Sequence, residues 1–158
     1  MKKTNAMRIL DSNKIKYQEI EYDASEGLSG LNVAMNTGEN PLNVYKTLVT
    51  ESKNKEHYVF VVPATKELDL KKAANVSNEK KIDMILQKEL LPLTGYIHGG
   101  CSPVGMKKLF KTFVDESAKD KEYIFVSGGK VGTQVKINPD DLIKVINADY
   151  ADISKDKD

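Results

Sequence analysis

Residues 44–63, VYKTLVTESKNKEHYVFVVP, set two apolar runs on either side of a charged centre. Val44 to Val49 and His57 to Val62 read as strands, because β-branched and aromatic side chains pack well on a pleated sheet. Ser52 to Glu56 is too polar to continue either run, and Pro63, which has no N–H to give a ladder, stops the second. The spacing predicts an antiparallel hairpin.

Upstream, Thr4 is placed to cap a helix whose apolar positions Ala6, Met7, Ile9 and Leu10 recur at helical spacing. Ile15 to Tyr22 predicts a strand, Asp23 to Gly30 a polar loop, and Leu31 to Thr37 a short helix with Gly38 at a left-handed C-cap. Pro41 to Asn43 then turns the chain into the hairpin. Downstream, Leu68 to Val76 predicts a lysine-faced helix with Leu68, Ala73, Ala74 and Val76 toward the core. Lys80 to Met84 predicts a brief strand, and Ile85 to Leu91 a helix ended by Pro92 and Gly95.

Phe110 to Val114, Glu122 to Ser127 and Thr133 to Ile137 predict three more strands, the last two joined through Gly128-Gly129-Lys130-Val131-Gly132. Asn138-Pro139-Asp140-Asp141 is a helix start: an N-cap, a proline at the first turn, and acids beside the positive end of the dipole. Leu142, Val145 and Ile146 supply its buried stripe. Lys155 to Asp158 reads as a disordered tail beyond a single domain of residues 1–154. The expected fold class is α+β, with a mainly antiparallel, mixed sheet of barrel-like form and short helices around it.

The 158 residues, 40% hydrophobic and 30% charged, suit one globular domain with a core of its own. The formal net charge is +1, so no global basic field marks a nucleic-acid binder, and Arg8 is the sole arginine among 24 basic residues. Lysine meets phosphate as a point charge, without the bidentate readout of arginine. A single cysteine excludes an internal disulfide, and no His/Cys spacing matches a metal site, so neither metal nor other cofactor is expected. Neither a signal peptide nor an apolar run of membrane-spanning length is evident, and the expected location is cytoplasmic with no membrane partner.

Chemistry concentrates in Gly95-Tyr96-Ile97-His98-Gly99-Gly100-Cys101-Ser102-Pro103-Val104-Gly105-Met106-Lys107-Lys108. A Gly-Gly pair lets backbone N–H groups converge on a ligand, although the same composition serves a plain connection. Lys46 sits among uncharged strand residues on the face of Val44 and Leu48. It reads either as an ammonium aimed into a pocket or as an edge-strand lysine that discourages association. Cys101 invites a nucleophile, but only His57 and His98 exist as bases and no third member orients either. Gly128-Gly129-Lys130 reads as a turn or a phosphate-binding fragment, and the pairs Lys71-Lys72, Lys80-Lys81 and Lys107-Lys108 as solvated surface. An enzyme built from this inventory works by positioning, backbone dipoles and a group on its own substrate.

Val44-Tyr45-Lys46-Thr47-Leu48, Leu68-Asp69-Leu70-Lys71-Lys72-Ala73-Ala74, Gly95 to Gly105 and Val126-Ser127-Gly128-Gly129-Lys130-Val131-Gly132 together resemble the successive motifs of the YbaK/EbsC family. That family comprises free-standing relatives of the editing insertion domain of bacterial prolyl-tRNA synthetase. The resemblance implies a trans-editing deacylase acting on cysteine mischarged on tRNA(Pro), with Lys46 as the critical residue. It implies an aminoacyl pocket lined by Tyr22, by His98, Gly99, Gly100, Cys101, Ser102 and Pro103 of the glycine loop, and by Ser127, Gly128 and Gly129. Gln134 stands where some relatives carry aspartate, and no role carries over to it. The implied mechanism uses the substrate thiol as attacking group, with Lys46 at the terminal ribose or phosphate and the Gly99-Gly100 amides facing the ester carbonyl. The implied partners are the acceptor end of tRNA(Pro) and prolyl-tRNA synthetase. Deacylation of alanyl or seryl tRNA, and non-catalytic binding of aminoacyl-tRNA or the synthetase, remain open alternatives.

Overall fold

The computed structural model describes residues 3–22, 38 and 40–157. The expected loop at residues 23–30 and helix at residues 31–37 lie outside the described residues. The hairpin forms: β2 (Tyr45–Ser52) pairs antiparallel with β3 (His57–Pro63), with Lys46 opposite Val62 and Thr50 opposite Tyr58. Its turn is closed by the Ser52 N–H on Glu56 O at 2.8 Å. The Ser52 hydroxyl also accepts from the Asn54 and Glu56 amides, at 3.2 and 3.1 Å.

Around this hairpin a five-stranded sheet grows in the order β5-β2-β3-β6-β9, adding β5 (Ile82–Met84), β6 (Lys111–Asp115) and β9 (Asp149–Ala151). β6 runs parallel to both β3 and β9. β1 (Tyr17–Glu21), β8 (Thr133–Ile137) and β7 (Ile124–Lys130) form a separate antiparallel sheet, and β4 (Glu67–Leu68) pairs with β10 (Ser154–Lys155). The class is α+β as expected, but the strands do not close into a barrel. Val44, just before β2, touches the second sheet through one parallel bridge to Phe125, and among the described residues the ladder does not continue from there.

β3 explains the cohesion of the whole. Phe60 and Val62 face one side, where they join Leu68, Ala73, Ile82, Phe113 and Ile153, with the Phe60 and Phe113 rings stacked at 5.6 Å. Val59 and Val61 face the other side. Val61 meets helix α1 (Asn5–Ser12), strands β7 and β8, and helix α4 (Pro139–Ile146) in the largest cluster. Burial on both faces is why His57 to Val62 reads as a near-continuous apolar run.

Caps set the helix starts. Thr4 accepts from the Met7 amide, Asp69 opens α2 (Leu70–Ser77), and Asn138 accepts from the Asp140 and Asp141 amides at 2.9 and 3.2 Å. Helix α3 spans Gln87–Thr94 with Pro92 inside it, so proline does not end it as expected. In so short a helix Pro92 forfeits one backbone bond, and the turn continues until Gly95 takes the left-handed conformation at φ 86°. Leu68 belongs to β4, with Asp69 as the cap that separates it from the helix. Gly128 and Gly129 lie within β7, in an irregularity between Ser127 and Lys130, so the turn itself is narrower than expected. Within the expected tail, Lys155 pairs with Glu67 and Asp156 meets Lys66 at 3.4 Å.

Asn138→Ala removes the acceptor for two amides at the start of α4. It is expected to destabilise the fold by about 1 kcal/mol, read as a lower urea midpoint at unchanged m value.

Candidate active site

The place where β2 parts from the second sheet is a cleft of about 330 Å³. The first half of β2, Tyr45 to Leu48, forms one wall, with Val44 and Ala64 at its end. Tyr22, Ser127 and Gln134 form the opposite wall, where Ser127 and Gln134 face each other across the β7–β8 ladder. His98, Gly99 and Cys101 of the glycine loop, Leu90 of α3, and Lys157 complete the lining.

Among the described residues, β2 presents a free backbone edge here. β5 pairs only with Thr50 to Ser52, and Val49 O accepts from the Ile85 N–H at 3.4 Å. Two residues earlier on the strand, Thr47 directs its own N–H and C=O to that same edge, where no described strand meets it. Its Oγ1 is shielded from solvent and has no hydrogen-bond partner among the described residues. A buried hydroxyl without a partner is costly, and a ligand group in the cleft would satisfy it.

The glycine loop is a closed unit. The Lys107 N–H donates to Thr94 O at 3.0 Å across its neck, the Tyr96 hydroxyl donates to Val104 O at 2.6 Å, and Ser102 Oγ accepts from the Val104 amide at 3.0 Å. Gly100 is a close-packing glycine: a Cβ there would stand 2.8 Å from Val131 N and 2.9 Å from Lys130 C. Its N–H donates to Ile97 O at 3.0 Å, so it is not the free donor expected of the Gly99-Gly100 pair. Gly99 adopts φ 85° and lines the cleft, and among the described residues nothing accepts from its N–H.

Of the expected site residues, Tyr22, Lys46, His98, Gly99, Cys101 and Ser127 converge on the cleft. Gly100, Ser102, Pro103, Gly128 and Gly129 do not line it. Ser102 is fully buried in the loop, Pro103 borders a separate groove, and the Gly129 amide is taken by Ser127 Oγ at 3.2 Å. These residues hold the walls. A Cβ on Gly128 would meet Thr133 Cγ2 at 2.9 Å, and the Gly128 carbonyl accepts from the Thr4 hydroxyl.

Lys46 is half-buried, and burial pushes its ammonium toward the neutral form; Lys157 adds to this and Glu67 opposes it. Cys101 is buried as well, which pushes its thiol up to about 12 despite a hydrogen bond with Thr94. The thiolate that a nucleophile needs is therefore absent near neutral pH. His98 is exposed, and the thiol's hydrogen-bond partner is Thr94, so no Cys–His pair forms. Among the described residues no His/Cys/Asp/Glu group is arranged to hold a metal ion, and no helix is long and apolar enough to cross a membrane.

Thr47, Leu90, Gln134 and Lys157 enter the cleft without an expected role. Thr47 alternates away from Lys46 on its strand, and only the unpaired edge of β2 reveals its position. Lys157 depends on the β4–β10 pairing between distant parts of the chain, which no local pattern encodes.

Residues 31–145 match the aminoacyl-tRNA editing domain family. A protein of Enterococcus faecalis named EbsC, described as a candidate Cys-tRNA(Pro)/Cys-tRNA(Cys) deacylase, is 43% identical over 153 residues, covering 96% of this chain and 93% of that one. The crystal structure of the hypothetical protein APE2540 superposes with a TM-score of 0.88 at 19% identity, covering 96% of this chain and 100% of the other. A candidate trans-editing enzyme for prolyl tRNA synthetase superposes at 0.84 with 24% identity, covering 98% and 99%. Fold and sequence thus define the class as aminoacyl-tRNA editing proteins. The chain belongs to the aminoacyl-tRNA editing domain family, and its resemblance to the YbaK/EbsC proteins is borne out over nearly its full length.

Gly100→Ala forces a methyl group against the Lys130–Val131 backbone. It is expected to cost about 1–3 kcal/mol and to shift the loop, read as a lowered Tm together with loss of deacylation. Alkylation of Cys101 by iodoacetamide at pH 8 is expected to be slow in the folded protein and fast once urea unfolds it.

Proposed function

We propose that the chain is a free-standing deacylase that removes cysteine mischarged onto tRNA(Pro). The carrying observation is a cleft that sets a half-buried lysine beside the Thr47 and Gly99 N–H groups, which have no acceptor among the described residues, and whose one thiol is buried and protonated. The relative described as acting on Cys-tRNA(Pro) supports the choice of substrate.

The substrate supplies what the cleft lacks. Its cysteine sulfur attacks its own carbonyl carbon, forming a C–S bond as the C–O bond to the ribose breaks. The ribose oxygen leaves with the proton given up by the thiol, and free tRNA departs from a four-membered thiolactone that water then opens to cysteine. The protein holds the sulfur close to the carbonyl, a positioning effect that replaces a missing catalytic group. The N–H groups of Thr47 and Gly99 are the donors for the carbonyl oxygen, where charge develops. Lys46 meets the terminal ribose, and its ammonium steadies the departing oxygen. The Thr47 hydroxyl offers an acceptor to the α-ammonium, while Val44, Leu48 and Leu90 exclude water.

This chemistry sets its own specificity. A prolyl ester carries no thiol and stays intact, and a seryl hydroxyl is a far weaker nucleophile than a thiol. With few cations at the cleft and a net charge of +1, selectivity for tRNA(Pro) comes from association with prolyl-tRNA synthetase, in the cytoplasm where the error arises.

On a panel of cysteinyl-, seryl-, alanyl- and prolyl-tRNA, the cysteinyl ester is expected to be cleaved fastest and the prolyl ester not at all. Lys46→Ala is expected to lower kcat by about 10²–10³-fold in a folded protein, and Cys101→Ala to retain most of the rate. Because burial lowers the pKa of Lys46, its charge is lost at lower pH than for an exposed lysine, so activity falls on the alkaline side. Cleavage of no ester above the spontaneous rate would leave a binding module, and full activity of Lys46→Ala would remove the lysine from the mechanism.

A further inference from the structure

The C-terminal segment returns to the cleft under firm control. Ile153 is fully buried; its N–H and that of Ser154 donate to Asp115 Oδ1 at 3.3 and 3.2 Å, and its carbonyl accepts from Asp69 N at 2.8 Å. Lys72 Nζ donates to Ser154 O at 3.0 Å and to Asp152 at 2.9 Å, and Lys66 meets Asp156 at 3.4 Å. These contacts deliver Lys157, one residue further, to the wall that carries Lys46.

Two ammonium groups therefore share one cleft. Among the described residues neither has a carboxylate within salt-bridge distance, and Glu67, the acid that Lys46 senses, is engaged by Lys155 at 3.9 Å. Like charges held together are unfavourable until an anion arrives. The aminoacyl end of the substrate brings a positive α-ammonium, so it is not that anion. The anion nearest an ester on the terminal ribose is the phosphodiester that joins the last nucleotide.

We propose that Lys157 is a substrate-positioning residue that, beside Lys46, holds the phosphodiester adjacent to the esterified ribose of the tRNA. The proposal rests on the deacylase reading for its substrate and deepens it. Lys46 addresses the ribose oxygen, Lys157 anchors the strand, and the ester is thereby registered against the Thr47 and Gly99 amides.

The test compares wild type with Lys157→Ala, Lys157→Arg and Lys157→Glu in two assays across a KCl series. One measures kcat and KM on cysteinyl-tRNA. The other measures binding of an uncharged acceptor-stem minihelix RNA with a single-stranded 3′ end, which needs no ester cleavage and so remains readable if the deacylase reading fails. Lys157→Ala is expected to raise KM about tenfold, with the smaller share of the loss in kcat, and Lys157→Glu to raise it further. The slope of log affinity for the minihelix against log salt is expected to fall by about 0.7, the loss of one phosphate contact, and Lys157→Arg to restore both. An unchanged salt slope in Lys157→Ala, or a loss that arginine does not restore, overturns the proposal.

Discussion

The unfinished ladder of β2 is the constraint on which the site depends. β3 satisfies one edge of the strand along its whole length, whereas among the described residues the other edge is met only by the Val44–Phe125 bridge just before the strand, by the Ile85 N–H at Val49 O and by β5 at Thr50 to Ser52. Backbone N–H and C=O groups left between those points must find water or ligand. A closed barrel would have consumed them. The gap instead leaves a polar strip beside an apolar wall, which is what an aminoacyl ester requires: donors for its carbonyl and cover for its side chain.

Electrostatics sharpens this geometry. Burial disfavours the charged forms of both Lys46 and Cys101, with opposite consequences. The thiol stays protonated and inert, while the ammonium is held in an environment poor in counter-charge and gains from a substrate oxygen or phosphate. The glycine loop supports both effects. Its neck bond, its buried Ser102 and Tyr96, and the contact of Gly100 with Lys130–Val131 fix the wall on which Gly99 and Cys101 sit. Gly100 and Gly105 serve close packing, and the Gly99 amide, on the cleft wall, has no acceptor among the described residues.

Much of this was legible in the sequence where local rules prevail. The central hairpin, the caps Thr4 and Asn138, and the β7–β8 pair follow from side-chain alternation and helix-start chemistry. Pairings between distant segments were not legible. Two-residue strands such as β4 and β10 carry no periodicity, so Lys157 read as tail, and the parallel order of β3, β6 and β9 has no local signal. Within the site, residue type alone singles out Lys46 and the loop, and the family resemblance adds Tyr22 and Ser127. Neither shows which loop residues face the cleft, because Gly99 and Gly100 are identical in sequence and differ only in the partners of their amides.

The central claim is that the attacking group belongs to the substrate. Single-turnover deacylation of S-methylcysteinyl-tRNA(Pro), with the thiol capped, tests it directly beside cysteinyl-tRNA(Pro). Substrate-thiol attack predicts cleavage of the free-thiol ester alone, with the capped ester decaying at its spontaneous rate. Comparable enzymatic cleavage of both esters would contradict it and place the nucleophile, side chain or water, on the protein.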